Sequence, residues 1–94
     1  MNVMTLDELP GGDLVAKGMA DLEGGRETVE SLLVAVGAPR LRRLGFSTHA
    51  PLPTNPEHRL YELLAATDPD SAHTRYNALI RRLVSFERAA ACAG

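Results

Sequence analysis

The sequence has no tryptophan, a single cysteine and no long apolar run. Because Cys92 has no second cysteine to pair with, the chain cannot form the internal disulfide framework that small secreted domains usually carry. The longest apolar run covers residues 32–36, far short of the about 20 residues that span a bilayer. No charged and apolar leader follows Met1, and no lipidation signal is present. We therefore expect a cytoplasmic protein that makes no membrane contact.

Aromatic side chains are also scarce, and the four present are Phe46, Tyr61, Tyr76 and Phe86. The core must therefore consist mainly of leucine, valine and alanine, a composition that favours helices over strands. A chain of 94 residues buries only about 60–65% of the surface that it exposes when unfolded. Because the resulting stability margin is small, self-association would be an advantage. We expect a single all-α domain over residues 1–94 that forms a homo-oligomer.

Glycines and prolines divide the apolar pattern into segments. These segments predict a small bundle of four main helices, with the second and the last at its centre. The predicted main helices cover about residues 13–23, 26–36, 56–66 and 69–90, and a short extra helical turn is predicted near 39–44. Asp13, Asn55 and Asp68 are the predicted N-caps, because short polar side chains accept hydrogen bonds from the first N–H groups of a helix. Residues 1–10 are expected to form a docked or frayed arm.

Three residues interrupt or weaken the predicted helices. Gly37, with Pro39 close behind it, is predicted to end the second helix. Gly18 lies inside the first helix, where it costs about 1 kcal/mol relative to alanine. Gly18 marks either a close approach of another backbone or a local weakness that tertiary contacts offset. The sequence leaves these two interpretations open.

The last predicted helix carries an apolar face that is broader than a single packing contact requires. Such a face can pack both within the bundle and against a second copy of the chain. Tyrosine is enriched at protein interfaces, which adds a residue of the preceding helix to the candidates. The candidate oligomer contacts are Tyr61, Tyr76, Ile80, Leu83 and Phe86. The alternative is that these side chains pack only within their own chain.

The formal net charge of −2 conceals an uneven distribution. Residues 1–38 hold seven acidic residues against Lys17 and Arg26, a net charge of −5, whereas residues 39–94 hold eight arginines against five acidic residues, a net charge of +3. Arginine suits bidentate contacts with carboxylate or phosphate, so one interpretation is an anionic partner. The other is that the arginines pair with acids of the first part or simply face solvent. The candidate anion or partner contacts are Arg40, Arg42, Arg43, Arg81 and Arg82.

Nucleic-acid binding is an alternative hypothesis for these arginines. Residues 32–46 have the outline of a helix, a glycine turn and a basic second helix, as in a helix-turn-helix. The outline is incomplete, because the second helix would open with Pro39 and place Arg43 where a buried apolar anchor is needed. The isoelectric point of about 5.9 also argues against non-specific binding to phosphates.

No arrangement of residues predicts catalysis, a cofactor or a metal site. His58 and Glu62 share a helix face, but the sequence lacks a Cys-x2-Cys or HExxH motif and the other histidines fall in separate segments. Cys92 lies in the final segment, where an activated thiolate is hard to arrange. The sequence therefore predicts a small non-catalytic protein-interaction or regulatory module, whose partner is a second copy of the chain or a larger protein. The alternative is a nucleic-acid-associated regulator, or an antitoxin-like protein, that uses an arginine patch.

Overall fold

A computed structural model describes residues 8–93, which form four α-helices and no strand. The helices are α1 (Gly12–Glu23), α2 (Val29–Arg43), α3 (Pro56–Thr67) and α4 (Ala72–Ala93). The prediction of an all-α bundle with four main helices is confirmed. The arm expected over residues 1–10 lies mainly outside the described residues.

Glycines define both ends of α1. Gly11 is the N-cap, with a φ of 75°, so the predicted cap at Asp13 is wrong. Asp13 lies in the first turn instead, where its charge complements the helix dipole. At the other end Gly25 has a φ of 72°, and the Arg26 N–H donates to the Asp21 carbonyl at 2.8 Å. This left-handed ending confirms the predicted glycine terminator.

α2 is a single uninterrupted helix of 15 residues. It starts with a capping box, in which the Ser31 N–H donates to Thr28 Oγ1 at 3.1 Å and the Thr28 N–H donates to Ser31 Oγ at 2.8 Å. The prediction that Gly37 and Pro39 end this helix is wrong. The separate turn expected near 39–44 is instead the last part of α2.

Tertiary packing explains why α2 continues through Pro39. Proline lacks the N–H that would bond to the carbonyl of Ala35, which has a local energetic cost. Leu41, however, is only 1% exposed and extends the apolar face of α2 into the core. Gly37 lies so close to α4 that an added Cβ would be 2.9 Å from Leu83 Cδ2. The burial of Leu41 and the contact with α4 therefore outweigh the local preference for a break.

The caps of α3 and α4 also differ from the prediction. Asn55 is the N-cap of α3, but with a φ of 50° and without a side-chain hydrogen bond, whereas Pro56 takes the first helical position as predicted. Asp68 is the C-cap of α3, and its Oδ1 accepts from the Asp70 N–H at 3.2 Å. Its predicted role as N-cap of α4 is wrong, because this turn delays the start of α4 to Ala72.

The two central helices are α2 and α4, as predicted, because each of them contacts all three other helices. Gly18 of α1 lies at the crossing with α2, where an added Cβ would overlap the Glu30 carbonyl oxygen and a Val34 methyl group. The close-approach interpretation of Gly18 is therefore confirmed. The core consists of aliphatic side chains and one phenylalanine: Val15, Leu22, Leu32, Leu33, Val34, Leu41, Leu60, Leu64, Ala72, Leu83, Phe86 and Ala90.

Candidate functional site

An open groove of about 350 Å³ lies between the second half of α2 and the second half of α4. Gly37 is one of its lining residues, and the missing side chain lets α4 approach α2 closely at this level. The floor is apolar, formed by residues from both helices. The lining residues are Val36, Gly37, Pro39, Arg40 and Arg43 from α2, with Ile80, Leu83, Val84 and Glu87 from α4.

Arginines stand along both edges of this floor. Arg40 and Arg43 line the α2 side, and both are exposed. Arg81 and Arg88 are exposed on α4, and their spacing of three and four residues from Val84 places them beside that floor residue. We call the lined groove together with these four residues the arginine groove.

A single carboxylate, that of Glu87, lies within this basic surrounding. Glu87 is only 6% exposed and makes no hydrogen bond with any residue of the described range 8–93. Its nearest cationic atom is Arg40 Nη1, at 3.9 Å from Glu87 Oε1. Burial raises the pKa of Glu87, and the charge of Arg40 opposes this increase only in part. The groove therefore contains a largely buried glutamate whose carboxylate oxygens still reach solvent and have a charged neighbour but no donor within residues 8–93.

The structure separates the five arginines that the sequence singled out. Arg40 and Arg43 line the groove, and Arg81 lies beside it. Arg42 lies on another side of α2 and lines a small cavity under the loop that follows the helix. Arg82 forms an ion pair with Asp13, with Nη2 and Oδ1 separated by 3.1 Å. These arginines therefore do not form one continuous patch.

The five candidate oligomer contacts also separate. Phe86 is fully buried against Phe46, with ring centroids 5.4 Å apart, and Leu83 is 4% exposed. Neither residue therefore offers appreciable surface to a second copy of the chain. Ile80 is half-buried in the arginine groove. The broad apolar face of α4 is used largely within the chain.

The two tyrosines form a separate surface between α3 and α4. Tyr61 is 39% exposed, and its ring centroid lies 5.9 Å from that of the half-buried Tyr76. The ring of His73 lies 6.5 Å from that of Tyr61. These rings are not part of the arginine groove.

A second polar cluster, at the junction of α1 and α2, is fully satisfied by the protein itself. Asp21 is 5% exposed and accepts hydrogen bonds from Lys17 Nζ at 2.7 Å, Thr28 Oγ1 at 2.7 Å and Arg26 Nε at 3.1 Å. These donors, with Lys17 the strongest, lower the pKa of Asp21 to about 2. The cluster holds the two helices together and has no group available for a ligand.

The groove residue that sequence reasoning missed is Glu87. A usable signal was present, because Glu87 follows Ile80 by seven residues and Leu83 by four, which puts a carboxylate on the apolar face of α4. Asp21 was missed as well, since its three partners come from α1, from the loop after it and from the N-cap of α2.

Further observations concern metal ligands, membrane spanning, the cysteine and similarity to known proteins. Among residues 8–93, no group of three or more histidine, cysteine or acidic side chains is placed to hold a metal ion, and no helix is long and apolar enough to cross a membrane. Cys92 is exposed, and the nearest pairing of a histidine with an acid is His58 Nε2 to Glu62 Oε2, at 3.5 Å. No protein-family model, curated protein or solved structure matches this chain.

Proposed function

We propose that the protein is a non-catalytic interaction module that binds an acidic, amphipathic segment of a partner protein in the arginine groove. The observation that carries the proposal is an apolar floor lined by two exposed arginines, Arg40 and Arg43. Helical spacing from Val84 places two more exposed arginines, Arg81 and Arg88, beside the floor on α4. A helix that lays its apolar face into such a groove buries hydrophobic area, and its flanking carboxylates meet guanidinium groups. We place this activity in the cytosol, where the exposed thiol of Cys92 stays reduced.

The dimensions of the groove suggest the length of the segment. The α2 side extends from Val36 to Arg43, which at about 1.5 Å per residue is roughly 10 Å. The α4 side, from Ile80 to Arg88, is of similar length. A partner helix of about two to three turns would therefore contact the whole floor and reach arginines on both edges.

A separate partner fits the groove better than a second copy or a nucleic acid. The burial of Leu83 and Phe86 removes the main reason for expecting a dimer through α4. For a nucleic acid, the Glu87 carboxylate would oppose a phosphate in the groove, and Arg82 is already paired with Asp13. Carboxylates on an amphipathic segment need only reach the edges, where the arginines stand.

The test is a peptide-display selection against the immobilised full chain. Peptides that bind should combine apolar residues at helical spacing with aspartate or glutamate on the flanks. The double variant Arg40→Glu/Arg43→Glu should weaken them about tenfold or more, because each charge-assisted hydrogen bond contributes about 1.5–3 kcal/mol. The matched control is Arg42→Glu/Arg75→Glu, which changes the net charge equally at exposed sites outside the groove and should leave binding unchanged.

Three results would contradict the proposal. One is a set of binders that the groove variant and the control variant bind equally well. Another is a dimeric mass in light scattering that only the groove variant abolishes, which would identify a second copy as the occupant. The third is a DNA or RNA mobility shift at about 50 mM salt that depends on Arg40 and Arg43 and disappears by about 200 mM, without any acidic peptide binder.

A further inference from the structure

Glu87 gives the arginine groove a second recognition element beyond its arginines. The carboxylate belongs to the groove lining and is 6% exposed, next to the Leu83 methyl groups and the backbone at Gly37. At 3.9 Å, Arg40 Nη1 is too far away for a hydrogen bond. Nothing else in the described part of the chain donates to Glu87. The carboxylate therefore depends on water at the groove for its hydrogen bonds.

An apolar segment that docked in the groove would remove this water. A buried carboxylate without a donor is strongly unfavourable, whereas one that meets a cation with hydrogen bonds can be accommodated. Beyond the first four residues, the backbone N–H groups of a docked helix are already bonded within that helix. Where a later turn of the segment faces Glu87, the donor must therefore be a side chain of the segment. A lysine or arginine supplies both the hydrogen bonds and the opposite charge.

Arg40 is poorly placed to supply the donor itself. Its side chain is 64% exposed and stands at the edge of the groove, where the proposed function has it pair with an acid of the partner. If Arg40 turned inward to Glu87, that outer contact would be lost. The single positive charge of Arg40 cannot neutralise both an acid at the edge of the groove and the Glu87 carboxylate at its floor.

We infer that Glu87 makes the groove selective for a segment with one lysine or arginine within its apolar face, flanked about one turn away by acidic residues. This inference rests on the proposed function, because it describes the occupant of the same groove. Glu87 is then the specificity-determining residue, and the arginines supply the general preference for acidic segments.

The experiment compares peptide-display selections on the native chain and on Glu87→Gln. The substitution keeps the size of the side chain and removes its charge. Glu62→Gln, at an exposed position of α3 outside the groove, is the matched control. Peptides selected on the native chain and on the control should share a basic residue at a fixed position among the apolar ones. Those selected on Glu87→Gln should have no basic residue there.

A substitution in the peptide provides the decisive measurement. Replacing the shared lysine by norleucine should weaken binding to the native chain about tenfold or more, and binding to Glu87→Gln by no more than about twofold, because only the native groove leaves a charge unpaired. Equal losses on both proteins would overturn the inference. Circular dichroism would show that Glu87→Gln is folded. The loss of binding affinity on replacing the peptide lysine is measured on the native chain, so this part of the test needs no protein variant.

The outcomes also distinguish this inference from the proposed function. Acidic peptides that require Arg40 and Arg43 but lack a central basic residue would overturn the role of Glu87 and leave the proposed function standing. Peptides that bind independently of Arg40 and Arg43 would overturn the proposed function, and the inference with it.

Discussion

The buried side chain of Asp21 links α1 to α2. Its carboxylate accepts from three donors, on Lys17, Thr28 and Arg26, which belong to α1, to the N-cap of α2 and to the loop between them. The aspartate lies inside a predicted helix, where the i, i+4 spacing indicates Lys17 as a neighbour, but nothing in the sequence indicates that Arg26 and Thr28 also reach it. They meet only because Gly18 allows the two helices to cross closely.

Stability should therefore depend on the ionisation of Asp21. Its pKa is lowered from 3.8 to about 2 in the folded chain, so folding favours the charged form. This contribution is complete above about pH 4 and is lost as the pH falls through about 4 to 2. We expect Asp21→Asn to lower the melting temperature at neutral pH and to make its decline between about pH 5 and 2 shallower. Thermal unfolding followed by circular dichroism measures both effects.

Two comparisons make the Asp21 result specific. Asp70→Asn removes an exposed carboxylate outside the cluster and should change neither the melting temperature nor its decline in acid. Glu87 acts in the opposite direction, because burial raises its pKa and folding favours its neutral form. Repeating the series with Glu87→Gln separates the two groups. If the melting temperature of Asp21→Asn fell in acid as steeply as that of the native chain, the role assigned to Asp21 in acid stability would be ruled out.

Among the helices, α2 is the one whose end disagrees with the local sequence rules. The apolar spacing predicted the existence and type of all four helices, and Gly25 and Gly45 end their helices with the left-handed geometry that glycine permits. The rules failed at Pro39, because they count the missing N–H but not the burial of Leu41 two residues later. The groove could not be predicted for the same reason, since it requires α2 to continue alongside α4.

Replacement of Pro39 should stabilise the chain. Alanine restores the N–H that can bond to the Ala35 carbonyl and has a higher helix propensity, so we expect the free energy of unfolding of Pro39→Ala to rise by about 1–3 kcal/mol. Urea denaturation measures this change. Pro53→Ala, in the loop before α3, is the control and should lower the free energy of unfolding by about 0.4–1 kcal/mol through the greater freedom of the unfolded chain. A less stable Pro39→Ala would mean that the proline is required by the fold.

Across the whole molecule, the uneven charge seen in the sequence is only partly neutralised by contacts. Within residues 8–93, Arg59 pairs with Glu27 and Arg82 pairs with Asp13, so two of the eight arginines of residues 39–94 meet acids of the first part there. Arg40 pairs with Glu87 of its own part. The interpretation that arginines pair with acids of the first part therefore holds for Arg59 and Arg82, which composition alone could not reveal, and the anionic partner stays a prediction.

The two cross-molecule pairs should contribute little to stability. All four side chains are about half exposed or more, and exposed ion pairs contribute roughly 0–1 kcal/mol each. We expect Asp13→Asn/Glu27→Gln to lower the free energy of unfolding by about 1 kcal/mol at about 0.05 M salt and by less at about 0.5 M. Urea denaturation at both salt concentrations measures this. A larger loss that persists at high salt would show that the pairs hold the bundle together.

The continuity of α2 also bears on how fast and in what orientation a partner arrives. Glu30 lies in the first turn of the helix and three arginines lie in the last, about 20 Å away. The last turn of α2 is thus the basic end of this helix, and its field would act on the acidic segment that we propose as partner before contact. Such a field turns an approaching acidic segment toward the basic end and raises the association rate at low ionic strength. If α2 ended before Pro39, the three arginines would not be held in a fixed direction relative to the start of the helix.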